Sequence, residues 1–361
     1  MNDLDFHSVF TSDLWTDAGG IAWANEPAYL RAIRYRSPAG CSAQIGINRV
    51  SRHRGLLRVQ RLGFNELVDE SLDEVTIEYN RFRGPQNIPF ASSLDWLLTE
   101  IDKRQDWQEI LFSRIAADEL RALQSAAQSR NWGWYLEDAR PGFKVDFEKI
   151  RNVHAGDFVA SLSQNSREQL RRARRFCEKQ YGPLKLELAS NEEQALEFLD
   201  ALAVLHRLRW SSQAHQRGKG FENLAFAAFH KELVTLGTKS RKVEMIKVSA
   251  GSSVLAYLYN FRASKEIHFY MSGVNYDLDS KSRAGIIAHD LAIEFYLQDA
   301  TLNTYDFLAG ANRYKDSLSN EKYEMFSIVL QRPNFWLTAE RAVRKLKRKH
   351  RPQSVQGAIS S

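Results

Sequence analysis

Tyr305-Asp306-Phe307-Leu308-Ala309-Gly310-Ala311-Asn312-Arg313-Tyr314-Lys315 completes a pattern that starts at Ser282-Arg283-Ala284-Gly285-Ile286-Ile287. The earlier stretch opens a helix to Leu297 that places Ala284, Ile287, Ala288, Leu291 and Phe295 on one stripe. Thr304 to Leu308 then reads as a strand, Gly310 as a turn, Asn312 to Leu318 as a short helix or loop, and Tyr323 to Leu330 as a last strand. The amides in a helix's first turn lack intrahelical acceptors, so this order sets an anion-receiving end close to titratable side chains.

Upstream, Lys242 to Val248, Val254 to Arg262 and Glu266 to Val274 are strands joined by Gly251-Ser252-Ser253 and Ala263-Ser264-Lys265, an antiparallel meander. Before them lie a strand, Leu184 to Leu188, and helices at about Asn191 to Trp210 and Glu222 to Leu236. The half opens with a helix in which Ser166 and Gln169 suggest a capping box. Leu170, Ala173 and Cys177 recur on one of its faces, and Arg171, Arg172, Arg174 and Arg175 on the other.

The first half alternates strands (Ala43 to Val50, Gly55 to Leu62, Val75 to Tyr79, Trp107 to Phe112) with helices (Pro27 to Arg34, Leu94 to Arg104, Ala117 to Asn131). Pro141-Gly142 and the stretch through Val153-His154-Ala155-Gly156 break periodicity and read as the passage to a second unit. The expected fold is therefore α/β (α+β), with lobes at 1–150 and 155–332 and a basic C-terminal helix and tail at 335–361.

A chain of 361 residues, 43% hydrophobic and 26% charged, has room for two ordinary domains. Its start, Met1-Asn2-Asp3-Leu4-Asp5, is acidic where a secretory leader is basic, and no apolar run is long enough to span a bilayer, which predicts a cytoplasmic protein. Cys41 and Cys177 are far apart and read as small buried hydrophobes, and the nine His show no metal-ligand spacing. From Glu340 to Arg351 seven bases stand against one acid, which accounts for the whole formal excess of +6 and leaves the rest of the chain neutral. That tail places Ala339, Val343 and Leu346 on one side among the bases, which fits either a solvated helix or the anionic inner face of a membrane.

The order of strands and helices resembles the GNAT acetyltransferase fold. Ser166 to Arg175, His206 to Trp210, Phe229-His230, Ser282 to Ile287 and Tyr305-Asp306-Phe307-Leu308 with Gly310, Tyr314 and Lys315 narrow the resemblance to its double-domain branch. That branch holds the BioF2-like and CelD-like (cellulose biosynthesis) acetyltransferases, relatives of the FemAB peptidyltransferases. The first half resembles a degenerate copy of the same fold, chiefly through Arg58 to Phe64. The usual GNAT cofactor loop is glycine-rich, and here only Arg283-Ala284-Gly285 of that signal is present.

The resemblance implies acyl transfer from acetyl-CoA or another acyl-CoA, without a metal, to an amine or hydroxyl of a sugar, peptide or amino-acid derivative. Lys281, Ser282, Arg283, Gly285 and Ile286 would receive the donor, the alternative being a plain helix start capped by Ser280 or Ser282. Tyr314 stands where such enzymes keep a tyrosine acid, and a packed tyrosine with a bonded hydroxyl is its structural alternative. Asp306, on the opposite side of its strand from Tyr305 and Phe307, would act as base or pair with Arg313 or Lys315 to fix the turn. His268 is a proton relay or a structural strand histidine, while Trp210, Tyr270 and Lys315 would shape the acceptor groove. Two rivals stand beside this reading: a FemAB-like aminoacyltransferase using charged tRNA, and a catalytically silent binding module. The arginine cluster lacks the interleaved aromatics that base stacking needs, so nucleic acid is the less favoured partner.

Overall fold

The strands of both halves join in one sheet. The computed structural model describes residues 8–85, 87–210 and 220–349, with the side chains of Trp210 and of 345–349 outside the description. The strands are β1 (Ile33–Arg36), β2 (Ser42–Arg52), β3 (Leu57–Phe64), β4 (Glu109–Ile115), β5 (Gly133–Asp146), β6 (Leu184–Leu188), β7 (Val243–Ala250), β8 (Ser253–Ala263), β9 (Glu266–Val274), β10 (Thr304–Ala309) and β11 (Glu321–Gln331). They form an 11-stranded sheet in the order β1-β2-β3-β4-β11-β5-β10-β9-β8-β7-β6.

The order conceals a repeat. In each half an antiparallel run leads to a parallel pair of only three registers, Arg61 to Gly63 on Glu109 to Leu111 and Glu266 to His268 on Thr304 to Asp306. The last strand of each half is then exchanged: β11 lies between β4 and β5, and β5 lies between β11 and β10. The sheet is therefore mixed and mostly antiparallel, with its two halves related about the β5–β11 pair.

Helices cover both faces. They are α1 (Asp13–Ala22), α2 (Pro27–Arg31), α3 (Phe90–Asp102), α4 (Ala117–Ser129), α5 (Phe147–His154), α6 (Phe158–Ser161), α7 (Gln164–Tyr181), α8 (Glu192–Trp210), α9 (Leu224–Lys239), α10 (Ala284–Leu297), α11 (Arg313–Leu318) and α12 (Phe335–Lys349). In the second half α7 and α10 bury Leu170, Ala173, Cys177, Ile287 and Ile293 with Ile267, Phe269, Tyr305 and Phe307 on one face of the sheet. On the other face α1, α8 and α9 bury Trp15, Leu202 and Phe229 with Tyr259 and Phe261. A third core joins α3 and α4 to β2, β3, β4 and β11.

Several expectations are corrected. Pro141-Gly142 sits inside the long strand β5 rather than in a linker, opposite Glu324 and Tyr323. The Tyr323 ring occupies the space a Cβ on Gly142 would need, and the Pro141 carbonyl accepts from the Gly310 amide at 2.9 Å, so both breakers have a use within the strand. The cap of α7 is Ser163, three residues before the expected Ser166, whose amide donates to the Ser163 hydroxyl oxygen at 3.2 Å. Val75 to Tyr79 is not a strand, and Phe295, placed on the buried stripe of α10, is exposed. The stripe turns instead through Ala292 and Tyr296.

The segment 65–89 explains the loss of that expected strand. Asn80 closes the end of the β3/β4 pair: its backbone amide donates to the Arg114 carbonyl at 3.1 Å and its side-chain amide to the Phe64 carbonyl at 2.8 Å. The backbone of Glu66 to Leu67 presses onto Gly46 and that of Glu66 onto Gly63, where any Cβ would collide with it. Tertiary closure, not strand pairing, buries the apolar alternation read at Val75 and Ile77.

Candidate active site

β9 and β10 part after His268 and Asp306, the last residues they pair in parallel. Into the opening projects the start of α10. A pocket of about 350 Å³ lies there, lined from both faces of the sheet by Arg209, Ser272, Tyr276, Gly285, His289 and Tyr314 among others. Gly273 lets α8 reach the edge of the opening, because a Cβ there would meet the Leu202 backbone.

The turn before α10 is tightly specified. Asp279 caps Ser280–Ser282 by accepting from the Lys281 amide at 2.8 Å, and Arg283 takes a left-handed conformation (φ 45°, ψ 45°) as N-cap without a side-chain cap bond. The Arg283 carbonyl accepts from Ile286 and Ile287. Among the described residues no protein acceptor meets the Ala284 or Gly285 amide, so two donors at the positive end of a 14-residue helix face the pocket. The Arg283 guanidinium extends to Gln169 at 3.0 Å, while Ser282 is buried and its carbonyl accepts from the Cys177 thiol at 3.4 Å.

Tyr314 is half-buried and stacks on His289, with ring centroids 5.2 Å apart and planes 13° apart. His289 Nδ1 lies 3.0 Å from the Tyr305 hydroxyl. Burial, with a smaller contribution from Lys315, lowers His289 to about 3, so its ring is neutral at physiological pH. Burial also pushes the Tyr314 phenol above its usual value, so it keeps its proton and can act only as a neutral hydroxyl.

Asp306 and His268 face the other way. Asp306 is fully buried and accepts from the hydroxyls of Tyr79 and Tyr323 and, at 2.7 Å, from the Leu308 amide. Burial raises its carboxyl above the usual range, and the neighbouring His268 and the hydrogen bonds pull it back. The expected partners Arg313 and Lys315 are not the ones found. Lys315 Nζ instead donates to the carbonyls of Phe307, Leu308 and Ala309, at 2.7, 3.4 and 3.4 Å. Between the two charges Leu308 is held at φ 61°, a strained conformation for a γ-branched residue, at the bulge where β10 changes register against β5.

His268 is buried between Tyr79 and Phe10, with Nε2 3.1 Å from Glu266 and Nδ1 without a hydrogen-bond partner among the described residues. Tyr270 is packed beside it against Phe10 and Phe261. The sheet thus divides the expected catalytic set. Ser282, Arg283, Gly285, Ile286 and Tyr314 line the pocket, whereas Lys281, His268, Tyr270, Asp306 and Lys315 do not, and the Trp210 side chain lies outside the described residues.

Sequence reasoning missed Glu78, Tyr79 and Tyr323, which come from distant segments, and His289 and Tyr276 in the pocket. His289 had a signal, a polar residue one turn after Gly285 on the buried side of an apolar helix. Glu78 is buried 3.4 Å from Arg114 Nε with its second oxygen unpaired, and burial raises it to about 7. No group of three or more metal-ligating side chains occurs among the described residues.

Residues 164–316 match the acetyltransferase (GNAT) domain family. The GNAT match runs from the first turn of α7 into α11 and contains the whole β9–α10–β10 opening. No curated protein matches the chain. Among solved structures, FemX is similar over 92% of this chain and 94% of its own, at 10% identity and a TM-score of 0.56. The C-terminal domain (DUF2156) of a putative lysylphosphatidylglycerol synthetase from Agrobacterium fabrum is similar over 93% and 96%, at 12% identity and 0.53. A conserved protein of unknown function from Bacteroides thetaiotaomicron VPI-5482 is similar over 89% and 92%, at 12% identity and 0.54. At such identities the likeness is one of fold, and it extends over both halves rather than the GNAT match alone.

Proposed function

We propose that the protein is a GNAT-type acyltransferase that takes an acyl group from an acyl-CoA and delivers it to an amine or hydroxyl of a sugar, peptide or amino-acid derivative. The observation that carries this reading is the opening between β9 and β10, where the Ala284 and Gly285 amides, without a protein acceptor among the described residues, meet a pocket also lined by Arg209, Tyr276, His289 and Tyr314. These amides, with Arg283 alongside, suit the pyrophosphate of such a donor. In the reaction the acceptor's lone pair bonds to the thioester carbonyl carbon and the carbon–sulfur bond breaks. Tyr314 would hydrogen-bond the departing sulfur, and the acceptor's proton would reach the thiolate by way of solvent in the pocket, since His268 is buried between Tyr79 and Phe10 and does not line it.

Calorimetry with acetyl-CoA tests the donor half of this proposal. The wild type is expected to bind, and Gly285→Trp, which fills the pocket behind Val274, is expected not to. Arg283→Ala, on an exposed side chain, provides a variant that keeps the fold and weakens binding. No heat with the wild type, or equal heat with Gly285→Trp, sinks the reading.

A further inference from the structure

α12 is built inside out. A surface helix of a globular protein ordinarily turns its apolar stripe to the core and its charges to water. Here Glu340 and Leu337 are buried and Arg341 and Arg344 half-buried, facing the protein. Glu340 accepts from Arg52 at 2.9 Å and Arg344 at 2.9 Å and meets His53 at 3.1 Å, Arg341 donates to Gln331 at 2.6 Å, and the Arg344 guanidinium lies 4.4 Å from the centre of the Tyr135 ring. The helix docks through its charges.

Its opposite side carries Trp336, Ala339 and Val343 at helical spacing, next to Phe335 and Ala342, all exposed. Phe335 and Trp336 are 77% and 68% exposed and pack edge-to-face with each other rather than with the body of the protein. In sequence the helix's last turns add Lys345, Lys347, Arg348 and Lys349, and the chain's entire formal positive excess lies in this region. No described helix is long and apolar enough to cross a membrane.

We propose that α12 seats the protein on an anionic phospholipid surface, with the Phe335–Trp336 pair and Val343 in the headgroup boundary and the flanking bases on the lipid phosphates. A protein partner would need an acidic rim around an apolar groove. A bilayer containing acidic lipid supplies both features at once, and an aromatic pair beside lysines suits its boundary. The docked charges hold the helix flat against the protein, so the stripe is presented without an ordering cost.

Co-sedimentation of the full chain with phosphatidylcholine vesicles, with and without about one-third phosphatidylglycerol, tests this. Partitioning is expected to rise about tenfold or more with the acidic lipid and to fall with salt. The double variant Phe335→Ser, Trp336→Ser is expected to lose about tenfold with an unchanged melting curve, since neither side chain is buried. Val343→Asp is a second, independent variant with the same expectation. Failure of the wild type to prefer acidic vesicles, or equal partitioning of the variants, overturns the proposal. So does a change from dimer to monomer in the double variant without any vesicle binding by the wild type, which would assign the stripe to a second copy of the chain.

Discussion

At β3 and β4 three residues pair in parallel and Asn80 then bridges the two diverging ends, whereas at β9 and β10 three residues pair and the gap stays open beside Tyr314. The same topology yields a sealed junction in one half and a pocket in the other. The difference lies in the chain between strand and helix, 65–89 in the first half and 275–283 in the second. The longer segment closes its own junction and continues to the neighbour, where Glu78 and Tyr79 line the far side of Asp306. The closed half thereby serves as a wall for the open one.

That contrast can be broken at several points. Gly285→Trp should close the open junction, with acetyl-CoA affinity falling by about a hundredfold or more in calorimetry. Asn80→Ala should unseal the closed one. It removes the side-chain donor from the buried Phe64 carbonyl and one of the two acceptors of the Asn65 side-chain amide, and should cost about 1–3 kcal/mol in urea unfolding.

Glu78 gives the wall a pH dependence. Its carboxyl is raised from the ordinary 4.5 to about 7, so between those values the folded state holds more protons than the unfolded one. Stability should therefore fall as pH rises from about 4.5 to 7 and change little beyond. Glu78→Gln should flatten that decline by up to about 3 kcal/mol, read from melts across the range. Asp290, raised to about 6 by burial against the opposing pull of Arg174, acts in the same direction.

Tyr314→Phe removes only a donor. Release of the CoA thiol over a panel of amines should slow about tenfold with donor affinity unchanged, and an unchanged rate would return Tyr314 to a packing role. Arg283→Ala should be the mildest change, a few-fold loss of donor affinity that vanishes at high salt, since the guanidinium is exposed.

Much of the second half was legible because its signals are local. The sequence bounds Glu266–Val274 residue for residue, and the α10 start follows from a Ser-Arg-Ala-Gly run ahead of an apolar stripe. What escaped was set by distant partners. Pro141-Gly142 reads as a break until Tyr323 is known to lie across it, and Asp306 invites a nearby base until Tyr79 and Tyr323 arrive from elsewhere. The stripe of α10 departs from its sequence pattern because Tyr296, with its hydroxyl on Glu244, is drawn inside in place of Phe295. The candidate residues can each be picked out in the sequence, but which face of the sheet each one serves is a matter of register, and period-two alternation shows it only once the strand's neighbours are known.

The exchange of β5 and β11 also governs how the chain can mature. As the polypeptide leaves the ribosome, β4 presents an unsatisfied edge until β11 emerges, so Ile110 must wait for Leu330 and Glu109 for Gln331. Neither half is a finished product in the other's absence. A nick near Ala155 after folding would leave the two pieces clasped by these strands, whereas a first half synthesised alone would keep its ladder open at β4, because the strand that closes it belongs to the second half.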